Sequence, residues 1–220
     1  MKLLWMVPFL AMNLTVLASE QPFFPFCIDW HDAKKRNFEQ QAAMLKELGY
    51  DGVGHLWLDD IDKRLQSLDS AGLKLFQISM QINVASNKPP YDAQKFKRAL
   101  ELVKDRHVQF NLLMDGMKPS DESADPRVVA MLREMSDMAL ESGSQLLLYP
   151  HTAEWMETVQ DAIRVAEKVD RPNVGVIFNL CHWLTSVRIV ITDPSWRRQC
   201  RVSGPYPLTA PMLTVRIGDD

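Results

Sequence analysis

The residues with most to offer chemically stand where the apolar run "VGVIFNLCHW" closes, with the amide of Asn179 three residues before the imidazole of His182. An oxygen and a nitrogen donor at that spacing suit either a metal site or a capped strand end. A second pair, Tyr149 and His151, closes "QLLLYPH", and His55 stands inside "DGVGHLW". Imidazole titrates near neutral pH, so each histidine can donate, accept or carry a proton. His31 and Asn83 add polar groups where two other strand-like runs end.

These residues are useful only if the chain brings them together, and the rhythm of the sequence says how it would. Strand-like runs at Phe26 to Trp30, Asp51 to Trp57, Lys74 to Asn83, Val108 to Met114, Gln145 to His151 and Val174 to Trp183 alternate with helical periods. The helices are expected at Asn37 to Leu48, Asp59 to Ala71, Tyr91 to Arg106, Pro126 to Ser142 and Glu154 to Val169, three of them closed by Gly49, Gly72 and Gly143. Such alternation is α/β with a parallel sheet. No Gly-rich phosphate loop follows the first strand, where "CIDWHDAKKRN" stands, so an open nucleotide-binding sheet loses its main support. The expected fold class is a (β/α)8 TIM-barrel type, incomplete, with about six strands and five helices. Adjacent parallel strands bring their C-terminal ends side by side at the barrel mouth. His151 and His182 are therefore expected to meet there as catalytic groups or substrate contacts. Trp57, Trp155 and Trp183 could wall such a mouth, although packing explains aromatics as often.

Composition narrows the partners. With 46% apolar and 24% charged residues in 220, the chain has the make-up of one globular domain, and its net charge of −3 gives no broad attraction to nucleic acid. Met1-Lys2, an apolar run to Leu17 and the small residue Ala18 read as an export signal. Residues 1–18 are thus expected to be a signal peptide cleaved near Ala18, leaving an exported chain with no stable membrane span. Cys27, Cys181 and Cys200 form no disulfide framework. The domain is placed at 19–184. Residues 185–220 differ in kind: no Lys or Glu follows Lys168, and Arg and Pro replace the helical period. The expectation is a tail translated out of frame from about Thr185, against a natural loop-rich end with an edge strand at Met212 to Ile217. The coding DNA read in its other two frames decides between them.

From about Phe24 to Leu184 the chain resembles the sugar-phosphate isomerase/epimerase group of xylose-isomerase-like barrels. The residues that carry the resemblance are "LKELGYDGVGHLW", the repeated strand-helix-Gly pattern, and "LLLYPHTAEWMETVQDAIRVAEKVDRPNVGVIFNLCHW". The resemblance implies a divalent metal (Mg, Mn or Zn) at the mouth, with a fifth-strand glutamate and a sixth-strand Asp-x-x-His among its ligands. Mapped by position, the glutamate falls on Tyr149, the aspartate on Asn179 and the histidine on His182. Phenol and amide in place of two carboxylates remove the charge that offsets desolvation of a hard cation. His55 stands where many relatives carry a substrate-contacting glutamate, and Tyr149 and Asn83 join it as expected substrate contacts.

The resemblance implies proton transfer next to a carbonyl of a small-molecule sugar. The competing reading is a carbohydrate-binding or truncated remnant, which would expose a sheet edge and pair through it as a homodimer. An apurinic endonuclease-type zinc enzyme is weaker, because such sites gather many His and Glu ligands and the chain has five His in all.

Overall fold

The computed structural model describes residues 21–186 and the short strand Met212–Val215. Residues 1–18, where an export signal is expected, lie outside the described residues, as does most of the tail after Ser186. The elements, in order, are α1 (Ile28–His31), α2 (Phe38–Glu47), β1 (Gly52–Leu56), α3 (Ile61–Ala71), β2 (Lys74–Asn83), α4 (Ala93–Leu102), β3 (Gln109–Asp115), a 3-10 turn (Glu122–Ala124), α5 (Asp125–Glu141), β4 (Gln145–Leu148), α6 (Val159–Val169), β5 (Val174–Asn179), α7 (Leu180–Ser186) and β6 (Met212–Val215). Strands β1 to β5 are parallel and neighbour one another in chain order, as in part of a βα barrel. β6 runs antiparallel along β5, at the place given to an edge strand.

Local chemistry accounts for the helix ends. Asn37 accepts from the Gln40 N–H while the Gln40 side chain accepts from the Asn37 N–H, and Thr158 and Asp161 do the same for α6. That second box explains why α6 starts at Val159 rather than at Glu154: residues 150–157 form the loop that carries the site. Gly72 closes α3 in the left-handed conformation, φ 67.

Strand alternation divides the side chains. Outward-pointing Ile78, Met80 and Ile82 of β2, Phe110, Leu112 and Met114 of β3, and Leu146 and Leu148 of β4 are buried with helix residues such as Leu45, Leu68, Phe96 and Leu132. This is the main core. The inner face is different: Leu147, Tyr149 and Ile177 form a small separate cluster with Phe26 and Leu113. Below it lies an amide ladder, in which Gln77 donates to Gln109 at 2.9 Å, Gln109 to Gln145 at 3.3 Å, and Asn111 to Gln77 at 3.2 Å. The ladder satisfies polar groups that would otherwise be costly to bury.

Two expected strands are corrected. Phe26 to Trp30 is not a strand: residues 23–26 run beside β1, giving it two bonds (Asp51 N–H to Phe23 O, 3.0 Å; Gly54 N–H to Pro25 O, 2.9 Å), and the chain then turns into α1. The run from Val174 to Trp183 is a strand only to Asn179, after which α7 begins.

Gly54 makes the first arrangement possible. A Cβ there would sit 2.6 Å from the Phe26 carbonyl oxygen, which is backbone and cannot swing aside. Gly54→Ala is expected to cost about 1–3 kcal/mol, the usual penalty of forced overpacking, in a thermal or urea melt. An unchanged melt would show that residues 23–26 do not seat against β1.

Candidate functional site

A cavity of about 240 Å³ opens at the C-terminal ends of the strands. Among the residues singled out in the sequence, Tyr149, His151, Asn179 and His182 line it together, as do His31 and Trp57. His151 and His182 do converge, with ring centroids 4.1 Å apart. Tyr149 packs edge-on to both rings.

Their bonds set their protonation. His151 Nδ1 lies 3.1 Å from the Thr152 carbonyl, which can only accept, so that nitrogen carries the proton. His182 Nδ1 faces the Thr152 hydroxyl at 3.0 Å and the Thr152 N–H at 3.5 Å, so it accepts and Nε2 carries the proton. Burial holds His151 below the ordinary imidazole range, outweighing the Thr152 bond that favours its charged form. Burial, followed by the neighbouring His151, pushes His182 down to about 3. Both rings are neutral at neutral pH.

Asn179 is a cap. Its Oδ1 accepts from the Cys181 N–H at 3.0 Å and the His182 N–H at 3.3 Å, opening α7, while its Nδ2 donates to the Tyr149 hydroxyl at 2.8 Å. The amide oxygen is thus spent on the helix, and the tyrosine is a buried neutral phenol whose pKa burial raises. These donors do not fit a divalent metal. Among the described residues no three His, Cys, Asp or Glu side chains are grouped to hold one.

The other expected contacts fall elsewhere. His55 points outward, 3% exposed, with Nε2 2.8 Å from the Asp59 carbonyl and Nδ1 3.4 Å from Arg64 Nε. Strand alternation explains it: Gly54 and Leu56 face inward, so His55 cannot. Asn83 Oδ1 accepts from the Ala85 N–H at 2.8 Å and fixes its own loop rather than lining the cavity. Of the three tryptophans, only Trp57 reaches the cavity; Trp155 is buried and donates to the Asp121 carbonyl, and Trp183 packs on Phe178. Trp30, on α1, stands across the rim instead, and His31 lines the cavity beside it. Cys27 lines it as a neutral thiol, pushed up to about 12 by burial and then by Asp29.

Sequence reasoning passed over Glu154. The expected helix start placed it on a helix, whereas the loop after β4 turns it into the cavity. Ala153 takes a left-handed φ of 68, held by a 2.9 Å bond from its N–H to Glu157, and the Glu154 N–H donates to the His151 carbonyl at 3.1 Å. Burial, then the Asp115 carboxylate, raises Glu154 to about 7 against an opposing bond from Gln81. A non-glycine residue with positive φ carries little sequence signal, so the clue was faint.

A family model described as xylose isomerase-like TIM barrel matches residues 42–201. The chain belongs to this family. It is also similar to three solved structures at low identity. These are a probable 3-DHS dehydratase involved in petrobactin synthesis from Bacillus anthracis (15% identical, TM-score 0.61, 76% of this chain and 66% of that one), an AP endonuclease, family 2, from Brucella melitensis (17%, 0.61, 81% and 74%) and D-psicose 3-epimerase with D-tagatose from Clostridium cellulolyticum (17%, 0.57, 85% and 71%). The xylose isomerase-like chain therefore spans just under two thirds of the first structure's length. No curated protein matches it. These likenesses establish a shared barrel fold, of which the described residues form part. Among the described residues no helix is long and apolar enough to cross a membrane.

Proposed function

We propose that this xylose isomerase-like chain is a sugar isomerase or epimerase-like protein that moves a proton next to a carbonyl at the mouth of its sheet. The observation that carries the reading is one cavity in which two neutral imidazoles and a carboxyl meet beneath aromatic walls. Aromatic faces from Trp30, Trp57 and Phe26 suit the C–H face of a sugar, and His151, His182 and Gln81 supply hydrogen-bond partners for its hydroxyls. The epimerase crystallised with D-tagatose supports the choice of substrate class.

The rival reading is sugar binding without turnover. Tyr149 and Asn179 favour it, because the fifth- and sixth-strand positions that would carry ligating carboxylates are tied to each other and to the α7 cap. The two readings separate in one experiment. Purified protein is titrated with D-fructose and D-tagatose by tryptophan fluorescence, and the same sugars are followed by NMR in deuterium oxide. Proton-transfer chemistry predicts quenching together with deuterium entering carbon-bound positions, lost in His182→Ala. Quenching without exchange establishes the binding reading, and neither signal removes both.

A further inference from the structure

We infer that Glu154 is the proton-transferring base of this cavity, and that it shifts a proton between adjacent carbons on one face of the substrate, an aldose–ketose isomerisation. The inference rests on the proposed sugar chemistry and sharpens it.

Glu154 is the one carboxylate among the described residues lining the cavity. Its side chain is 18% exposed, Oε1 lies 3.6 Å from His151 Nδ1, and Oε2 is buried with no hydrogen-bond partner among the described residues. Away from the cavity mouth, buried carboxylates are paired with cations: Asp32 meets Arg36, and Asp125 and Asp161 both meet Arg164, whereas Asp115, beside Glu154, also has a buried oxygen with no partner among the described residues. The paired groups are neutralised where they stand, and a structural glutamate would be expected to follow them. Glu154 instead faces a neutral imidazole, the Gln81 amide, whose bond favours its charged form, and, from the end of β3, a second carboxylate, Asp115, whose like charge favours its protonated form. The loop holds it in place from both sides, by the His151 carbonyl and by buried Trp155 bonded to Asp121. A carboxyl that exchanges its proton near neutrality, preset beside hydrogen-bond donors, is what general base catalysis requires.

The chemistry balances without a co-reactant. The carboxylate takes the proton from the carbon bearing the hydroxyl next to the carbonyl. That C–H pair forms the carbon–carbon double bond of an enediol, and the carbonyl π pair moves to its oxygen. The hydroxyl proton passes to that oxygen through an imidazole, for which His182 Nε2–H is the donor. The Glu154 acid then returns its proton to the former carbonyl carbon. One carboxyl serves both ends because both carbons lie on its side. Epimerisation would need a second group on the opposite face.

The test uses the full chain with D-xylose, D-glucose, D-fructose and D-tagatose in deuterium oxide. Wild type is expected to interconvert aldose and ketose with deuterium at ketose carbon 1, and its pH profile to bend near 7. Glu154→Gln should lose at least about 10²-fold in rate and lose that bend, with sugar-induced tryptophan quenching and a cooperative melt retained; Glu154→Asp should recover part of the rate. Exchange that survives in Glu154→Gln overturns the role of Glu154 while leaving the sugar chemistry standing. Deuterium at ketose carbon 3 with inversion overturns the one-face shift. A wild type inert toward all four sugars removes the sugar chemistry and this inference together.

Discussion

Replacing Asp29 with alanine is expected to destabilise the fold by about 3–5 kcal/mol, the usual result of stranding a buried partner charge. The stranded group is Arg64 on α3, whose side chain is 0% exposed. Its guanidinium is bonded to Asp29, reaches Gln41 Oε1 at 2.8 Å, and lies 4.0 Å from the centre of the Phe38 ring. Burial lowers the Arg64 pKa, while Asp29 and Glu39 work to hold its charge. For Asp29 the balance falls the other way: burial pushes its pKa up, but bonds from His55 and the Leu56 N–H and the Arg64 charge bring it below the ordinary carboxylate range. A lowered carboxylate contributes stability above its unfolded pKa and loses it on acidification, so wild type should lose more stability in acid than Asp29→Asn does. The same pair fastens α1, which carries Trp30 and His31 over the cavity, so sugar quenching should fall as well. Urea unfolding measures the cost. A double variant, Asp29→Ala with Arg64→Met, should regain most of it, because an apolar pair of similar volume is often as stable as the ions. A loss below about 1 kcal/mol for Asp29→Ala would mean that water reaches Arg64.

That ion pair also shows where sequence reasoning stops. The barrel class, the order of the helices and the meeting of His151 with His182 were legible, because period and strand order are local properties and adjacent parallel strands must share a mouth. The face of a strand was harder. His55 looked like a mouth residue by its place near a strand end, but one residue of register separates Leu56, inside, from His55, outside. Asn179 was readable as either a ligand or a cap, and only the turn into α7 decides for the cap. Phe26 to Trp30 has strand composition, yet the long-range bond from Asp29 to Arg64, 35 residues away, accompanies a helical turn there. Glu154 was missed because its role depends on a left-handed alanine, which the residue type does not announce.

The cost of keeping Glu154 in the cavity should be visible in stability, and with a sign that separates it from His182. Glu154 is raised from 4.5 to about 7, so between those values the folded chain holds a proton that the unfolded chain has released. Stability then falls as pH rises, by at most about 1.4 kcal/mol per pH unit for one proton. His182 is lowered from 6.5 to about 3, so in that window the unfolded chain holds the extra proton and stability rises with pH. His151, also lowered, adds to the rise. Over pH 4.5–6.5 the Glu154 slope opposes that of the histidines. Glu154→Gln removes the falling contribution: matched with wild type near pH 4, it should be more stable by about 2–3 kcal/mol at pH 8. His182→Gln removes a rising one, and should gain on wild type progressively below pH 6.5. Urea melts across pH 4–8 read both differences directly. If Glu154→Gln is no more stable than wild type at pH 8, the carboxyl is solvated and its proton is not tuned. If it is more stable but cannot exchange sugar protons, the chain is holding an unfavourable charge for its chemistry, which is the mark of a functional residue rather than a structural one.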